Sequence, residues 1–151
     1  MTDDIAQLCE NFHYDSETGT FWKKVGHATG HGYQRISTPI GPISAHRLVW
    51  ALVHKRWPTG DIDHINGNRS DNRLENLRDV SVPLNRQNLR GPYKNSKSEL
   101  LGASWSKAMK RWTARIHYAG KHHFLGYFDS AEEAHAAYLK VKREVHPGCT
   151  I

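Results

Sequence analysis

The stretch DHINGNRSDNRLENLRDVSVPLNRQN, residues 63–88, decides how this 151-residue chain is interpreted. It places His64 twelve residues before Asn76 and twenty-one before Asn85, with Asp63 directly before the histidine. Histidine accepts protons near neutral pH, and carboxylate and amide oxygens are ligands that Mg²⁺ accepts. We therefore expect hydrolysis of a phosphodiester bond, with His64 as the general base on a water and with Asp63 and Asn85 holding one divalent metal ion.

The pattern around these residues predicts a strand, a polar loop, a second strand and a short helix. Residues 61–65 alternate polar and apolar side chains, Gly67 breaks the strand, and Pro83 suits the first turn of a helix. Neighbouring residues of a strand point to opposite faces, so a regular strand could not aim both Asp63 and His64 at one phosphate. We expect irregular backbone at this pair, or a loop that wraps around the site.

The chain before this stretch predicts one helix. Residues 45–57, AHRLVWALVHKRW, repeat apolar side chains at helical spacing and are followed by Pro58 and Gly60. Residues 1–44 predict only short strands and turns, because glycine and proline punctuate their second half.

On these residues, the stretch resembles the HNH motif of the ββα-metal (His-Me finger) endonucleases of the phage and intron homing type. The resemblance implies a catalytic set of His64, Asn76 and Asn85, in which Asn76 holds the loop, Asn85 binds the metal and Asp63 replaces the metal-binding acid. It also implies one Mg²⁺ or Mn²⁺ per site and double-stranded DNA as substrate. Several arginines in and near the motif could contact phosphates, namely Arg47, Arg69, Arg73, Arg78 and Arg86, and of these we select Arg73 and Arg86 as candidate contacts. The segments AHRLVW and YDSETGTFWK resemble residues that precede the motif, so the resemblance covers most of residues 8–90.

The composition favours a polyanionic partner. The net charge is +6. A basic chain that contains tryptophan and tyrosine is more typical of a nucleic-acid-binding protein than of an ordinary basic protein. The two cysteines, Cys9 and Cys149, form no Cys-x-x-Cys pair, which argues against a zinc-bound nuclease or finger. No apolar run approaches the roughly twenty residues that span a bilayer, and the N-terminus lacks basic residues, so we expect a cytoplasmic protein without membrane association, in a bacterial host if phage-encoded.

The C-terminal third predicts a second domain. Residues 91–100 read as a linker, and no acidic residue occurs between Glu99 and Asp129. Alternating side chains predict three strands, and Ser130 begins a capping box that starts a helix. We expect a nuclease domain over 1–90 with its motif at 61–88, a linker over 91–100 and a binding domain over 101–146.

Residues 101–143 resemble the AP2 DNA-binding domain in LGASWSK, KRWTARI and GKHHFLGYFDSAEEAHAAY. The resemblance implies a small three-stranded antiparallel sheet packed on one helix, with the exposed face in the major groove, and the whole chain is then expected to be α+β. Strand alternation places Arg115 and His117 on the exposed face. By the family's pattern the other candidate DNA contacts are Ser104, Ser106, His122 and Phe124. Serine replaces frequent arginines at two of these positions, so a lower or differently placed sequence specificity is expected.

Three functions remain open on the sequence. The first is a homing-type DNA endonuclease in which one metal site per chain suits a monomer that nicks one strand, with a dimer left open. The second is a non-catalytic, sequence-specific DNA-binding protein. The third is an accessory nuclease of phage packaging or recombination.

Overall fold

The computed structural model describes residues 3–21, 26–28, 32–92, 96 and 98–151, with backbone alone for 26–28. The chain divides into two compact units, Met1–Asn85 and Arg86–Ile151, called here the N-terminal and C-terminal units. Helices and small antiparallel sheets occur in both, so the predicted α+β class is confirmed. In the described part of the chain, no helix is long and apolar enough to cross a membrane.

Two helices form the centre of the N-terminal unit. These are α1 (Asp3–Asn11) and α2 (Ala45–His54). Leu8 and Phe12 pack in one core cluster with Leu48 and Leu52, and Leu8 is fully buried. The prediction of only strands and turns over residues 1–44 is therefore wrong for α1, because its apolar residues recur at helical spacing and face α2.

Short strands connect these helices. They are β1 (Tyr14–Asp15) and β2 (Thr20–Phe21), which form a hairpin, and β3 (Gly26–Ala28), β4 (Gln34–Thr38) and β5 (Gly41–Ser44), which form a three-stranded antiparallel sheet. The turn between β1 and β2 is closed by the Gly19 N–H, which donates to the Asp15 carbonyl at 2.9 Å, and Gly19 has a φ of +71°. Parts of the segment YDSETGTFWK, from Trp22 onward, lie outside the described residues.

The motif stretch folds onto α2. Strand β6 (Asp61–His64) pairs antiparallel with β7 (Leu77–Val80), and α3 (Val82–Gln87) follows. Ile62 and Leu77 are buried against Val49 of α2, and this contact fixes the β6–β7 ribbon in place. Helix α2 ends three residues before the predicted limit because Lys55 adopts the left-handed conformation, with a φ of 54°.

The C-terminal unit is a three-stranded sheet backed by one helix, as predicted. Strands β8 (Ala103–Ser106), β9 (Arg111–Tyr118) and β10 (Lys121–Phe128) lie in the order β10-β9-β8, and α4 (Ala131–Val145) follows. Ala103, Ala114 and Ala134 form the buried contact between sheet and helix, where small side chains permit close approach. The Ser130 hydroxyl accepts from the Glu133 N–H at 3.1 Å, which is the predicted N-terminal cap of α4.

The C-terminal unit also includes the end of α3 and the residues that follow it. The Gly148 N–H donates to Gln87 Oε1 at 3.0 Å, and Arg90 donates to the Thr150 hydroxyl at 2.6 Å. The proposed domain limits at residues 90 and 101 remain a prediction about independent folding, and residues 93–95 and 97 of the predicted linker lie outside the described residues.

Candidate active site

The β6–β7 ribbon is regular through the two key residues. Asp63 lies opposite Arg78, and His64 lies opposite Leu77. The expectation of irregular backbone at Asp63 and His64 is therefore wrong, because cross-strand pairing and the buried ribbon core hold the strand straight. By alternation the two side chains point to opposite faces, so the other expectation, a loop that wraps around the site, remains a prediction. The chain turns only after His64, where the Gly67 N–H donates to the His64 carbonyl at 2.9 Å.

Asn76 holds the loop that joins the two strands. Its Oδ1 accepts from the Asn66 N–H at 2.9 Å, and its Nδ2 donates to the Asp71 carbonyl at 2.8 Å. Its own carbonyl accepts from the Ile65 N–H at 2.9 Å. One side chain that is 6% exposed thus fixes both ends of the polar loop.

His64 is buried and held by an asparagine. Its Nε2 lies 3.2 Å from Asn72 Oδ1, and the Asn72 amide nitrogen donates to Gln34 Oε1 at 3.2 Å. This network orients the Asn72 oxygen toward the ring and so favours the tautomer with the proton on Nε2 and the basic lone pair on Nδ1. Burial lowers the pKa of His64 below its usual value, which keeps the ring neutral at pH 7.

Two further rings surround His64. His46 meets it edge to face with ring centroids 5.3 Å apart, and Tyr33 lies 6.0 Å away. Burial lowers the pKa of His46 to about 4, with a smaller contribution from the nearby His64. Within the described residues, His46 Nδ1 is buried without a hydrogen-bond partner. His46 therefore forms part of the wall around the candidate base.

The two proposed metal ligands lie on different elements, Asp63 on β6 and Asn85 on α3. Arg78 donates through Nε and Nη2 to Asp63 Oδ2, at 2.9 and 2.7 Å. Asn85 Nδ2 donates to Asp61 Oδ2 at 3.0 Å, and Asp61 shares a strand face with Asp63 by alternation. Asp61 therefore orients the Asn85 amide, and strand alternation was the signal in the sequence that could have identified it.

The donor set of this face suits a hard divalent cation. Asp61 and Asp63 supply carboxylates and Asn85 supplies an amide oxygen, all of which are ligands that Mg²⁺ and Mn²⁺ accept. In the described part of the chain, no three His, Cys, Asp or Glu side chains cluster in a way that could hold a metal. The group would therefore depend on the asparagine and on substrate oxygens or water.

The two arginines proposed from the motif stretch differ in their surroundings. Arg73 makes salt bridges to Asp71 at 2.8 Å and to Glu75 at 2.9 Å. Hydrogen bonds from Arg73 hold the pKa of Asp71 well below its usual range. Arg86 is an exposed residue of α3. A role for Arg73 at phosphate would therefore compete with its two acidic neighbours.

The candidate DNA-binding residues of the C-terminal unit share one face of its sheet. Ala114 and Ile116 are buried, whereas Arg115 and His117 between and beside them are exposed. Cross-strand register extends this surface, called here the outer face, to the following residues: Ser104, Ser106, Arg111, Thr113, Arg115, His117, His122, Phe124 and Tyr127.

The outer face combines cations with exposed rings. The Arg115 guanidinium lies 5.8 Å from the Phe124 ring centroid, and Phe124 meets Tyr127 edge to face at 4.9 Å. His117 and His122 lie directly opposite each other with centroids 4.7 Å apart. Strand alternation in the sequence did not identify Tyr127, because a bulge between Phe124 and Gly126 shifts the alternation. Gly126 was the signal of this bulge in the sequence, and it has a φ of +137°.

The part of the chain that contains the candidate site is similar to known proteins. The family model described as HNH endonuclease matches residues 44–90, which contain α2, the β6–β7 ribbon and α3. Over 102 residues the chain is 35% identical to "Protein 3.8" of Escherichia phage T7, an alignment that covers 67% of this chain and 83% of that protein. No solved structure matches the chain at a significant level. With its matched segment built around the Asp63-His64 strand, the chain belongs to the HNH endonuclease family.

Proposed function

We propose that this protein is a metal-dependent DNA endonuclease that hydrolyses phosphodiester bonds through His64. The observation that carries the proposal is the placement of a buried His64, held by Asn72, next to Asp63 on a strand inside the family match. A neutral imidazole with its proton fixed on one nitrogen can accept a proton from water at the other.

The residues would act as follows. His64 Nδ1 takes a proton from the attacking water, while Asn72 keeps the ring in one tautomer and one orientation. The hydrogen-bonded loop that Asn76 holds keeps the base in place. A divalent cation, Mg²⁺ or Mn²⁺, held by Asp63 and Asn85 would supply positive charge for the phosphate and the leaving 3′ oxygen. Asp61 would keep the Asn85 oxygen available by accepting from its amide nitrogen.

The outer face is the proposed DNA-binding surface. Its supporting features are Arg115, His117 and two exposed rings, Phe124 at 50% and Tyr127 at 41%. An arginine, a histidine and two rings on one face of a sheet suit phosphates and base edges of duplex DNA, in the manner of an AP2-like module. One metal site per chain suits a homing-type enzyme that nicks one strand as a monomer. The phage relative supports action in the cytoplasm of a bacterial host. The alternative to a homing role there is that of an accessory nuclease in phage packaging or recombination.

One observation favours a second candidate, a DNA-binding protein without catalysis. Arg78 already neutralises Asp63, as would be expected in a site that no longer takes a metal ion. The two candidates make opposite predictions for cleavage.

The deciding experiment is nicking of supercoiled plasmid with and without Mg²⁺ or Mn²⁺. The endonuclease proposal predicts metal-dependent nicking that His64→Ala abolishes. The control His54→Ala removes an exposed histidine at the end of α2 and should leave nicking intact. If the parent leaves the plasmid intact under both metals, the non-catalytic candidate stands. If His64→Ala cuts as fast as the parent, the role of His64 is wrong.

A further inference from the structure

The ion pair between Asp63 and Arg78 sits where the proposed metal ligand would act. Both arginine donors converge on one oxygen, Asp63 Oδ2, at 2.9 and 2.7 Å. The two residues lie directly opposite each other in the β6–β7 ribbon, so the contact is built into the strand register. Asp63 is 8% exposed, and a carboxylate that is so buried requires a compensating cation.

A metal ion and the Arg78 guanidinium compete for the same carboxylate. Each supplies the positive charge that Asp63 needs, and two cations at one oxygen repel each other. The ion pair therefore holds the Asp63 carboxylate in place without metal, and it also weakens metal binding for as long as it persists.

Arg78 has a second class of partner available once substrate arrives. The Asp63 side chain is 10% exposed, whereas that of Arg78 is 24% exposed, so the arginine is the more accessible member of the pair. A planar guanidinium binds phosphate oxygens through two parallel hydrogen bonds. The phosphates of bound DNA can therefore draw Arg78 away from Asp63.

We propose that Arg78 is an exchangeable counter-ion that couples metal binding to DNA binding. Without DNA it pairs with Asp63 and keeps metal affinity low. With DNA it binds phosphate and releases Asp63 to the metal ion. This inference rests on the proposed function, because it takes Asp63 as a metal ligand. The exchange would restrict metal binding to the complex with DNA.

The test measures Mn²⁺ binding by electron paramagnetic resonance, with and without a short DNA duplex. All proteins carry His64→Ala so that the duplex stays uncut. In this parent, DNA should tighten Mn²⁺ binding by a factor within the roughly 5- to 150-fold range of typical couplings, and Mn²⁺ should tighten DNA binding by the same factor. Arg78→Gln should bind Mn²⁺ more tightly than the parent without DNA, and DNA should then add much less.

Further variants separate the explanations. Arg78→Lys keeps the charge and should stay close to the parent. If Arg78→Gln does not fold by circular dichroism, Arg78→Met, which also removes the charge, takes its place in every comparison. Arg56→Gln removes an exposed arginine that pairs with Asp79 at 3.8 Å and should change nothing. Asp63→Ala should no longer bind Mn²⁺.

The outcomes are distinguishable. Equal DNA enhancement in the parent and in Arg78→Gln would overturn the coupling, as would the absence of enhancement in the parent. The coupling would also be overturned if a folded Arg78→Lys changed Mn²⁺ affinity as much as Arg78→Gln does, or more. The positive charge at residue 78 would then not explain the change. Undiminished Mn²⁺ binding by Asp63→Ala would instead overturn the metal site of the proposed function.

Discussion

The β6–β7 ribbon and the outer face of the C-terminal sheet present their candidate functional residues in opposite ways. On the ribbon, His64 and Asp63 are 4% and 8% exposed, and each is fixed by a hydrogen-bonding neighbour. On the outer face, Phe124 and Tyr127 are 50% and 41% exposed above an apolar interior of alanines. Buried, oriented groups suit chemistry that needs a fixed geometry, whereas exposed groups on a rigid sheet suit binding. Substitutions in the ribbon should therefore change stability and catalysis together, while those on the outer face should change binding alone.

The largest effect is expected on the helix side of the C-terminal sheet, at Gly102→Ala. Gly102 has a φ of +79°, and an added Cβ would lie 2.1 Å from the Tyr138 ring. Backbone strain of about 1–2 kcal/mol and overpacking of about 1–3 kcal/mol should together lower the free energy of unfolding. Chemical denaturation measures the loss.

Gly120→Ala is the matched control for this prediction. Gly120 has a φ of +75°, but nothing lies within 4 Å of an added Cβ. Only the strain of about 1–2 kcal/mol should remain. Equal losses for the two variants would show that the contact between α4 and the sheet does not limit stability.

The second effect is a pH dependence of the free energy of unfolding that arises from His46, which lies on α2 against His64 of the ribbon. His46 has a folded pKa of about 4, below its ordinary 6.5, because burial disfavours the charged ring. The unfolded chain therefore binds the extra proton first, and stability falls as the pH drops from about 6.5 to about 4, by about 3 kcal/mol in total. His46→Leu should remove this part of the pH dependence in urea unfolding curves. Identical pH slopes for the parent and His46→Leu would contradict the assignment, and His54→Leu serves as the exposed control.

The third effect concerns the orientation of the base. Asn72→Ala removes the oxygen that fixes His64 Nε2, so the single-turnover cleavage rate should fall by about 10- to 100-fold, as for other groups that orient functional side chains. Asn68→Ala, in the exposed part of the same loop, should keep most of the activity. A cleavage rate that Asn72→Ala leaves unchanged would show that the ring needs no such support.

The smallest effect on folding is expected from Arg115→Ala. Arg115 is exposed on the outer face, so the free energy of unfolding should stay within about 0.5 kcal/mol of the parent. The slope of log affinity for duplex DNA against log salt should fall by about 1, as for the loss of one phosphate contact. An unchanged slope would place the DNA contact elsewhere on the molecule.

The sequence was sufficient where local patterns determine structure. Alternation along Trp112–Tyr118 separated the two faces of β9, and the Ser130 capping box marked the start of α4. The motif spacing also located the strand, loop, strand and helix around His64.

The sequence was insufficient where a contact joins distant residues or where alternation is interrupted. The support of His64 passes through Asn72 to Gln34, which lies 38 residues earlier, and no local pattern encodes such a pair. The pairing of Asp63 with Arg78 depends on the strand register, which the loop length alone does not fix. At Tyr127 the bulge reverses the expected face.

The most direct test of the division between chemistry and binding is single-turnover DNA cleavage measured over a range of protein concentrations. At saturating protein, His64→Ala should remain slower than the parent by about 10²- to 10⁴-fold, as for loss of a general base, while duplex binding is retained. Arg115→Ala should need more protein but reach the parent's maximal rate. The account would be contradicted if saturation restored the rate of His64→Ala, or if Arg115→Ala stayed slow at every concentration.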